Sequence, residues 1–441
     1  MTPDPDQHTA PAQLPPLAAD RFDVGSTEDS LERLAGAARE AGPLFRIHAP
    51  GRGSDTWIVN NPADIKRVLV GNHRNYTKGV GLDRVRILLG NGIMTSEGDM
   101  WRRQRRMIQP FFHRRVIEKF AALVDRCVAE RLERWQESAA RGLTLDIAEE
   151  MSELTLDIVV GSIFGRDVEW LETKAGANPF KIVTEQSARN LKFAYQFRSL
   201  SRWVAKVAHK RLAADEEHFD FLAMLMAATD KETGEPMSER ELLDEVMTLV
   251  VAGHETSASA LAWTWYLLAR HPQARARLEA EVDAAPATVG IGFQASEEFR
   301  YTQAVVKEAM RLYPPGWLLS RRTIEPDVLS GFAVPAGADV MLSPYLIHRN
   351  PAYWPRPGEF LPERFLEQAG DPRDAWIYIP FAAGPRHCVG ENLAMYEMTV
   401  HLARVARGFR LERIDEAPAE IEAAINLRPR GNLRMRLVPR A

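Results

Sequence analysis

The chain has almost no cysteine. Of its 441 residues only Cys127 and Cys388 carry a thiol, which excludes a disulfide scaffold and suits a reducing compartment. Neither has a second cysteine at the spacing of a zinc or iron–sulfur site. No His-x-x-x-His or carboxylate-bracketed histidine pair offers another metal centre. A Gly-rich dinucleotide loop is also missing, so no flavin or nicotinamide module is expected within the chain. Positive charge is not in excess: 56 Lys and Arg against 60 Asp and Glu leave a net charge of −4, which argues against general nucleic-acid binding. There is no uninterrupted apolar span either. The longest apolar run, Val246–Ala269, is broken by His254, Glu255, Thr256 and Ser257, a cluster that a membrane span rarely carries at its centre. A buried central helix is expected instead. Residues 1–21 are polar and rich in proline, with no basic segment leading into an apolar core. They are expected to form a disordered tail, neither signal peptide nor membrane anchor. No repeat or linker follows, so 22–441 is expected to be one domain.

Hydrophobic periodicity predicts long helices over Arg114–Ala140, Thr144–Phe164, Ser238–Arg270 and Ser296–Leu312. Short alternating runs predict strands at Leu44–His48, Thr56–Val59, Phe332–Val334 and Asp339–Leu342, and near Ala424–Leu427 and Leu433–Val438. The expected fold class is mainly α with small β-sheets. The Ser238–Arg270 helix is readable from both ends. Ser238 with Glu241 makes a capping box, and Pro272 forces the preceding residue out of helical geometry.

The most informative stretch is Phe381-Ala-Ala-Gly-Pro-Arg-His-Cys-Val-Gly390. Cys388 stands just before the helix-like run Glu391–Gly408, with Gly384 and Gly390 opening the turn around it. A helix N-terminus favours negative charge, which is expected to lower the thiol pKa and suit the sulfur to ligate iron. An ordinary buried cysteine beside a turn is the alternative. At Phe381, Gly384, Arg386, Cys388 and Gly390 the segment resembles the haem-binding loop of cytochrome P450 enzymes. The resemblance implies a single-domain fold with a long central helix crossing the haem pocket. It makes Cys388 the iron ligand, Arg386 a cation for a haem propionate and Phe381 an aromatic face beside the macrocycle.

Further motifs follow in family order. Ala252-Gly-His-Glu-Thr-Ser257 puts a carboxylate and a hydroxyl mid-helix, where Gly253 costs about 1 kcal/mol relative to alanine. Buried polar groups of this kind need partners or a task. Thr256 can bond back to a carbonyl one turn earlier and open the helix locally. The stretch is similar to the family's oxygen-activating segment, which implies proton delivery by Glu255 and Thr256, with Gly253 leaving room. A polar pair that merely kinks the helix is the other reading. Trp101 and Arg105 share a helix face at i, i+4 and match the family's propionate-contacting pair. The other arginines of 102–115 would then face outward and steer an acidic electron donor. Arg322, five residues before Asp327, has the spacing of a further propionate arginine, with Arg321 as its competitor. Glu308, Arg311 and Arg364 resemble the family's buried structural network, and His348 and Arg349 are read as structural. The 76–97 segment is expected to form a mobile loop with Ile87, Leu88 and Leu89 as candidate pocket residues; Phe193, Tyr195, Phe197 and Trp203 are candidates to roof the pocket, although aromatics at such spacing are more often core.

Without a Cys-x-x-Cys-His site, the implied cofactor is haem b (iron protoporphyrin IX). The implied activity is a soluble, cytoplasmic, bacterial-type monooxygenase acting with O2 on a lipophilic small molecule. Electrons would come from an external ferredoxin or flavodoxin with its NAD(P)H reductase. A peroxide-dependent peroxygenase and a non-enzymatic haem sensor are the rival readings; the intact Glu255–Thr256 pair and the small-residue groove speak against them in turn.

Overall fold

The helix Glu239–Arg270 organises the computed structural model, which describes residues 13–184, 191–214, 216–286, 292–366 and 376–440. The Ser238 side chain accepts from the Glu241 amide while Glu241 reaches back to the Ser238 amide, so the anticipated capping box is present. His271, ahead of Pro272, ends the helix. Its 32 residues span about 48 Å at 1.5 Å each. Nearly every side is buried between Leu242 and Leu268, as an all-round apolar surface demands. Its most extensive packing is against Ile147–Phe164, with Arg300–Leu312 and Glu391–Gly408 completing the helical core.

The largest sheet lies to one side, in the order Leu17–Arg21, Leu44–Ala49, Ser54–Val59, Asp339–Leu342, Leu319–Thr323, Tyr76–Lys78. A three-stranded sheet joins Phe409–Arg413, Arg434–Pro439 and Thr144–Asp146, and Ile421–Ala423 pairs with Leu427–Pro429 as a hairpin. The fold is mainly helical with small sheets, as anticipated.

Several boundaries shift, each for a local reason. The expected tail over 1–21 is cut short, because Leu17–Arg21 pairs in parallel with Leu44–Ala49. Residues 424–426 are the turn of a hairpin rather than part of a strand. The helix expected over Arg114–Ala140 is divided by a short 3-10 turn at Glu118–Phe120. Half of the 76–97 segment lies in regular elements, a strand at Tyr76–Lys78 and a helix at Leu82–Leu89. Its remainder is pinned to the long helix: Asp244 accepts from the Asn91 amide at 2.8 Å and Glu245 from the Ile93 amide at 3.0 Å. Lys78 Nζ holds the carbonyls of Ile93 and Ser96.

Candidate active site

A cavity of about 450 Å³ lies between the long helix, the cysteine loop and the edge of the large sheet. Gly384 shapes the loop. Its φ is +72°, and a Cβ there would lie 2.2 Å from the Leu69 carbonyl oxygen, so glycine is required both for conformation and for approach. Gly390 is under no such constraint from the protein, since its Cβ would make ordinary contact with the Cys388 sulfur at 3.9 Å. The Cys388 amide donates to the Phe381 carbonyl at 3.0 Å and closes the loop. The Cys388 side chain is exposed, but what it is exposed to is the cavity, which it lines. Protein surrounds it otherwise. Burial therefore pushes the thiol up from its ordinary pKa, contrary to the lowering expected from the helix N-terminus. The Gly390 amide and Arg105 offset only part of that shift.

Four cations line the cavity: Lys78, Arg105, Arg321 and Arg386. Arg386 forms an ion pair with Glu97 (2.7 Å for one contact) and lies over the Trp101 ring at 5.2 Å. Arg105 donates to the His387 carbonyl at 2.6 Å. Burial, and after it the Arg386 charge, pulls Lys78 down to about 7 and Arg321 down to about 10. The carboxylate paired with Arg386, Glu97, would be raised by its burial, yet Arg386 and the Lys78 amide hold it below its usual range. Positive charge here exceeds what the protein neutralises.

That excess is the test of whether a haem fits. An iron porphyrin with two carboxylates would bring apolar area, two negative charges and a metal. The cavity offers an apolar lining, clustered cations and an open sulfur, within the usual size range of cofactor sites. The residues fit the group.

The anticipated site residues come together only in part. Phe381, Arg386, Cys388, Trp101, Arg105, Gly253 and Thr256 all line the cavity. Arg322 does not. Neighbours on a strand face opposite ways, so in Leu319–Thr323 it is Arg321 that turns inward, 8 % exposed. Arg322 turns to Asp339, at 2.9 Å. Its spacing from Asp327 could not reveal the strand's phase; of the two arginines weighed, Arg321 is the one that lines the cavity. Glu255 is likewise absent from the lining; its carboxylate lies 3.6 Å from Arg428. Thr256 donates to the Ala252 carbonyl at 2.8 Å, the back-bond anticipated for it. The hydrogen that Gly253 presents in place of a side chain points at Val159, 2.7 Å from where a Cβ would be. The glycine therefore admits the Ile147–Phe164 helix as well as bordering the cavity.

Other expectations need correction. Leu82, Ile93 and Met94 line the cavity, whereas Ile87 is 65 % exposed and Leu89 lies in the core. Of the candidate roof aromatics, Phe197 and Trp203 pack with the core, the commoner outcome for such spacing, and the side chains of Phe193 and Tyr195 lie outside the described residues. Four of the outward arginines lie beside acids: Arg102 with Asp99, Arg103 with Glu241, Arg106 with Asp230 and Glu232, Arg114 with Glu297, while Arg115 is exposed.

Sequence reasoning missed Lys78 and Glu397. A lysine at a strand end is ordinarily solvated, so Lys78 carried no signal. Glu397 carried one: it sits at i+4 from Leu393 on the buried stripe of its helix. It lines the cavity, and burial pushes it up to about 8 despite a hydrogen bond from Ser257.

A mutational contrast checks the corrected cation. Arg321→Gln is expected to speed loss of haem to an excess acceptor protein about tenfold or more, as loss of a charge-assisted contact would. Arg322→Gln should change it far less. Equal rates for the two variants would put the cationic site elsewhere.

Comparison with known proteins agrees with this geometry. Residues 15–433 match the family model described as Cytochrome P450. The chain is 36% identical over 376 residues to "Cyclooctatin synthase" of Streptomyces melanosporofaciens, covering 81% of each protein. It is 31% identical over 377 residues to "Cyclooctat-9-en-7-ol 5-monooxygenase" of the same organism, covering 82% of this chain and 81% of that one. With "Carotene epsilon-monooxygenase, chloroplastic" of Arabidopsis thaliana the identity is 30% over 443 residues, 91% of this chain and 80% of the other.

Proposed function

The chain belongs to the cytochrome P450 monooxygenase family, whose cofactor is a haem held by a cysteine thiolate, and from that premise we propose that it inserts one oxygen atom from O2 into a terpenoid-like lipophilic molecule by hydroxylation or epoxidation. The observation that carries this reading is the Cys388 sulfur opening into an apolar cavity ringed by cations. When bound, haem b supplies the activation of dioxygen, with two electrons delivered by a ferredoxin or flavodoxin and its reductase.

The chain's own residues divide the remaining work. Cys388 holds the iron, and Lys78, Arg105, Arg321 and Arg386 hold the carboxylates. Phe381 packs at the macrocycle. Leu82, Ile93, Met94, Leu249 and Leu319 line the cavity and exclude water while giving an apolar substrate contact area but few hydrogen bonds. Thr256 keeps its hydroxyl at the cavity wall on the Ala252 carbonyl, and Glu255, the adjacent acid, supplies it with protons. The names of the relatives point to the substrate class, since a carotene is a terpenoid hydrocarbon and cyclooctat-9-en-7-ol an unsaturated alcohol. A cytoplasmic setting fits a chain with two free thiols. Among the described residues no helix is long and apolar enough to cross a membrane.

Two measurements test the reading. A screen of terpenoid olefins and alcohols should find compounds that shift the spin state of the ferric haem; uniform silence, with fatty acids or macrolides active instead, would overturn the substrate class. Thr256→Ala should lower product formed per oxygen consumed by about 100-fold, the lower end of what a general acid contributes, while peroxide rises. Unchanged coupling would remove Thr256 from the proton route.

A further inference from the structure

Lys78 and Arg321 stand directly opposite one another where the strands Tyr76–Lys78 and Leu319–Thr323 pair. Residues so placed share one side of a sheet, and like charges there repel. Both line the cavity, and so does Arg386 from the cysteine loop. Three cations from three elements therefore converge on one enclosed, apolar space. Their mutual repulsion works against that arrangement until carboxylates arrive to join them. A counter-charge is needed to hold them there.

Glu97 is placed to supply it. It is half-buried and immediately precedes the helix Gly98–Ile108, which carries Trp101 and Arg105. Its carboxylate accepts from both terminal nitrogens of Arg386, one of them at 2.7 Å, and from the Lys78 amide at 2.5 Å. One acid thus joins the strand edge, the cysteine loop and the start of a helix. Arg386, so held, lies over the Trp101 ring. Burial, and after it the Arg386 charge, disfavours the protonated forms of Lys78 and Arg321, and Glu97 opposes this at both. Glu97 itself is outside the cavity lining, so it acts on the cavity through these cations rather than by contact.

Building on the reading that these cations hold the carboxylates of the haem, we propose that Glu97 is a positioning residue for the cofactor: it fixes Lys78 and Arg386 beside Arg321, and its negative charge lowers the reduction potential of the haem seated there. Both effects follow from one charge. Without it the cations repel one another unopposed and Arg386 loses its fixed place over Trp101, so the haem is held less well. Reduction adds an electron, and a neighbouring anion disfavours the added negative charge. Removing that anion favours the ferrous form.

The test uses the holoenzyme and two readings that need no substrate: the rate of haem transfer to an excess acceptor protein, and the ferric–ferrous midpoint potential from a spectroelectrochemical titration. Glu97→Gln should speed haem loss about tenfold, the scale of one charge-assisted contact. It should also favour the ferrous form about fivefold, a rise of about 40 mV at 59 mV per tenfold for one electron. Glu97→Asp keeps the charge and should hold the parent potential, with haem loss within about threefold of the parent. Asp99→Asn removes an exposed acid from the first turn of the same helix and should change neither reading. Haem loss at or below the parent rate in Glu97→Gln overturns the proposal, since the cations are then aimed without it. So does faster loss at an unchanged potential, the mark of a loop that has merely loosened. Arg321→Gln separates the proposal from the reading beneath it. If that variant sheds haem quickly while Glu97→Gln does not, the proposal alone falls; if both keep haem like the parent, the cations do not hold the carboxylates at all.

Discussion

Replacing Cys388 by serine is expected to abolish the thiolate signature in the absorption spectrum of the reduced, carbon-monoxide-bound protein and to cut turnover by well over 100-fold, beyond what removal of a mere supporting partner costs a metal site. The fold should survive. The loop is shaped by Gly384 and by the amide of residue 388, neither of which depends on the sulfur. No second thiol can take over: Cys127 is buried among apolar side chains of the helical core, and its burial pushes the thiol up to about 12. Cys127→Ser serves as the control and should leave spectrum and turnover as they are. Because burial also raises Cys388, the protein alone does not keep that sulfur ionised; the metal must do so, as it does for coordinating thiols generally. Haem-loaded Cys388→Ser retaining the parent spectrum would exclude the sulfur as ligand.

How much of this was legible in the chain follows from the range over which each signal acts. The capping box at Ser238 and Glu241 and the stop at Pro272 are local, and the helix begins and ends where they say. The residues of the cysteine loop lie within ten positions of one another, so their convergence on one cavity was readable too. What the chain concealed depends on strand phase and on distant partners. Arg321 and Arg322 are identical in type and adjacent, and only pairing with Asp339–Leu342 decides which faces inward. The attachment of Glu255 to Arg428 joins positions 173 apart, a distance no local pattern spans. The helix within residues 76–97, expected as a loop, was hidden for the same reason, since the acids that hold the end of that segment, Asp244 and Glu245, belong to the central helix.

The second large effect concerns stability. Arg311→Met is expected to cost about 3–5 kcal/mol, the penalty for breaking a fully buried ion pair by removing one partner. Arg311 and Glu308 are both wholly inaccessible. All five N–H donors of the guanidinium have acceptors: two on Glu308, at 2.8 and 2.9 Å, and the carbonyls of His348, Pro357 and Glu359. Lysine, with three donors and no fork, cannot reproduce this set, so Arg311→Lys should also be costly. Arg364 reaches Glu308 at 3.3 Å from a less buried position, and Arg364→Gln should cost only about 1 kcal/mol. The network also leads to the cysteine loop. Burial holds the His348 ring well below its ordinary pKa, so it stays neutral and its Nε2 accepts from the Ile379 amide at 2.8 Å, two residues before Phe381. Denaturant unfolding followed by circular dichroism measures the first effect, and the rate of haem loss measures the second. An Arg311→Met protein within 1 kcal/mol of the parent would show that the apolar side chain repacks the site and that the charge is dispensable there. A stability loss with haem retention unchanged would confine the network's work to the helix it braces. If both quantities fall while Arg364→Gln spares them, the support of Cys388 runs through the single guanidinium of Arg311 and the neutral ring beside it.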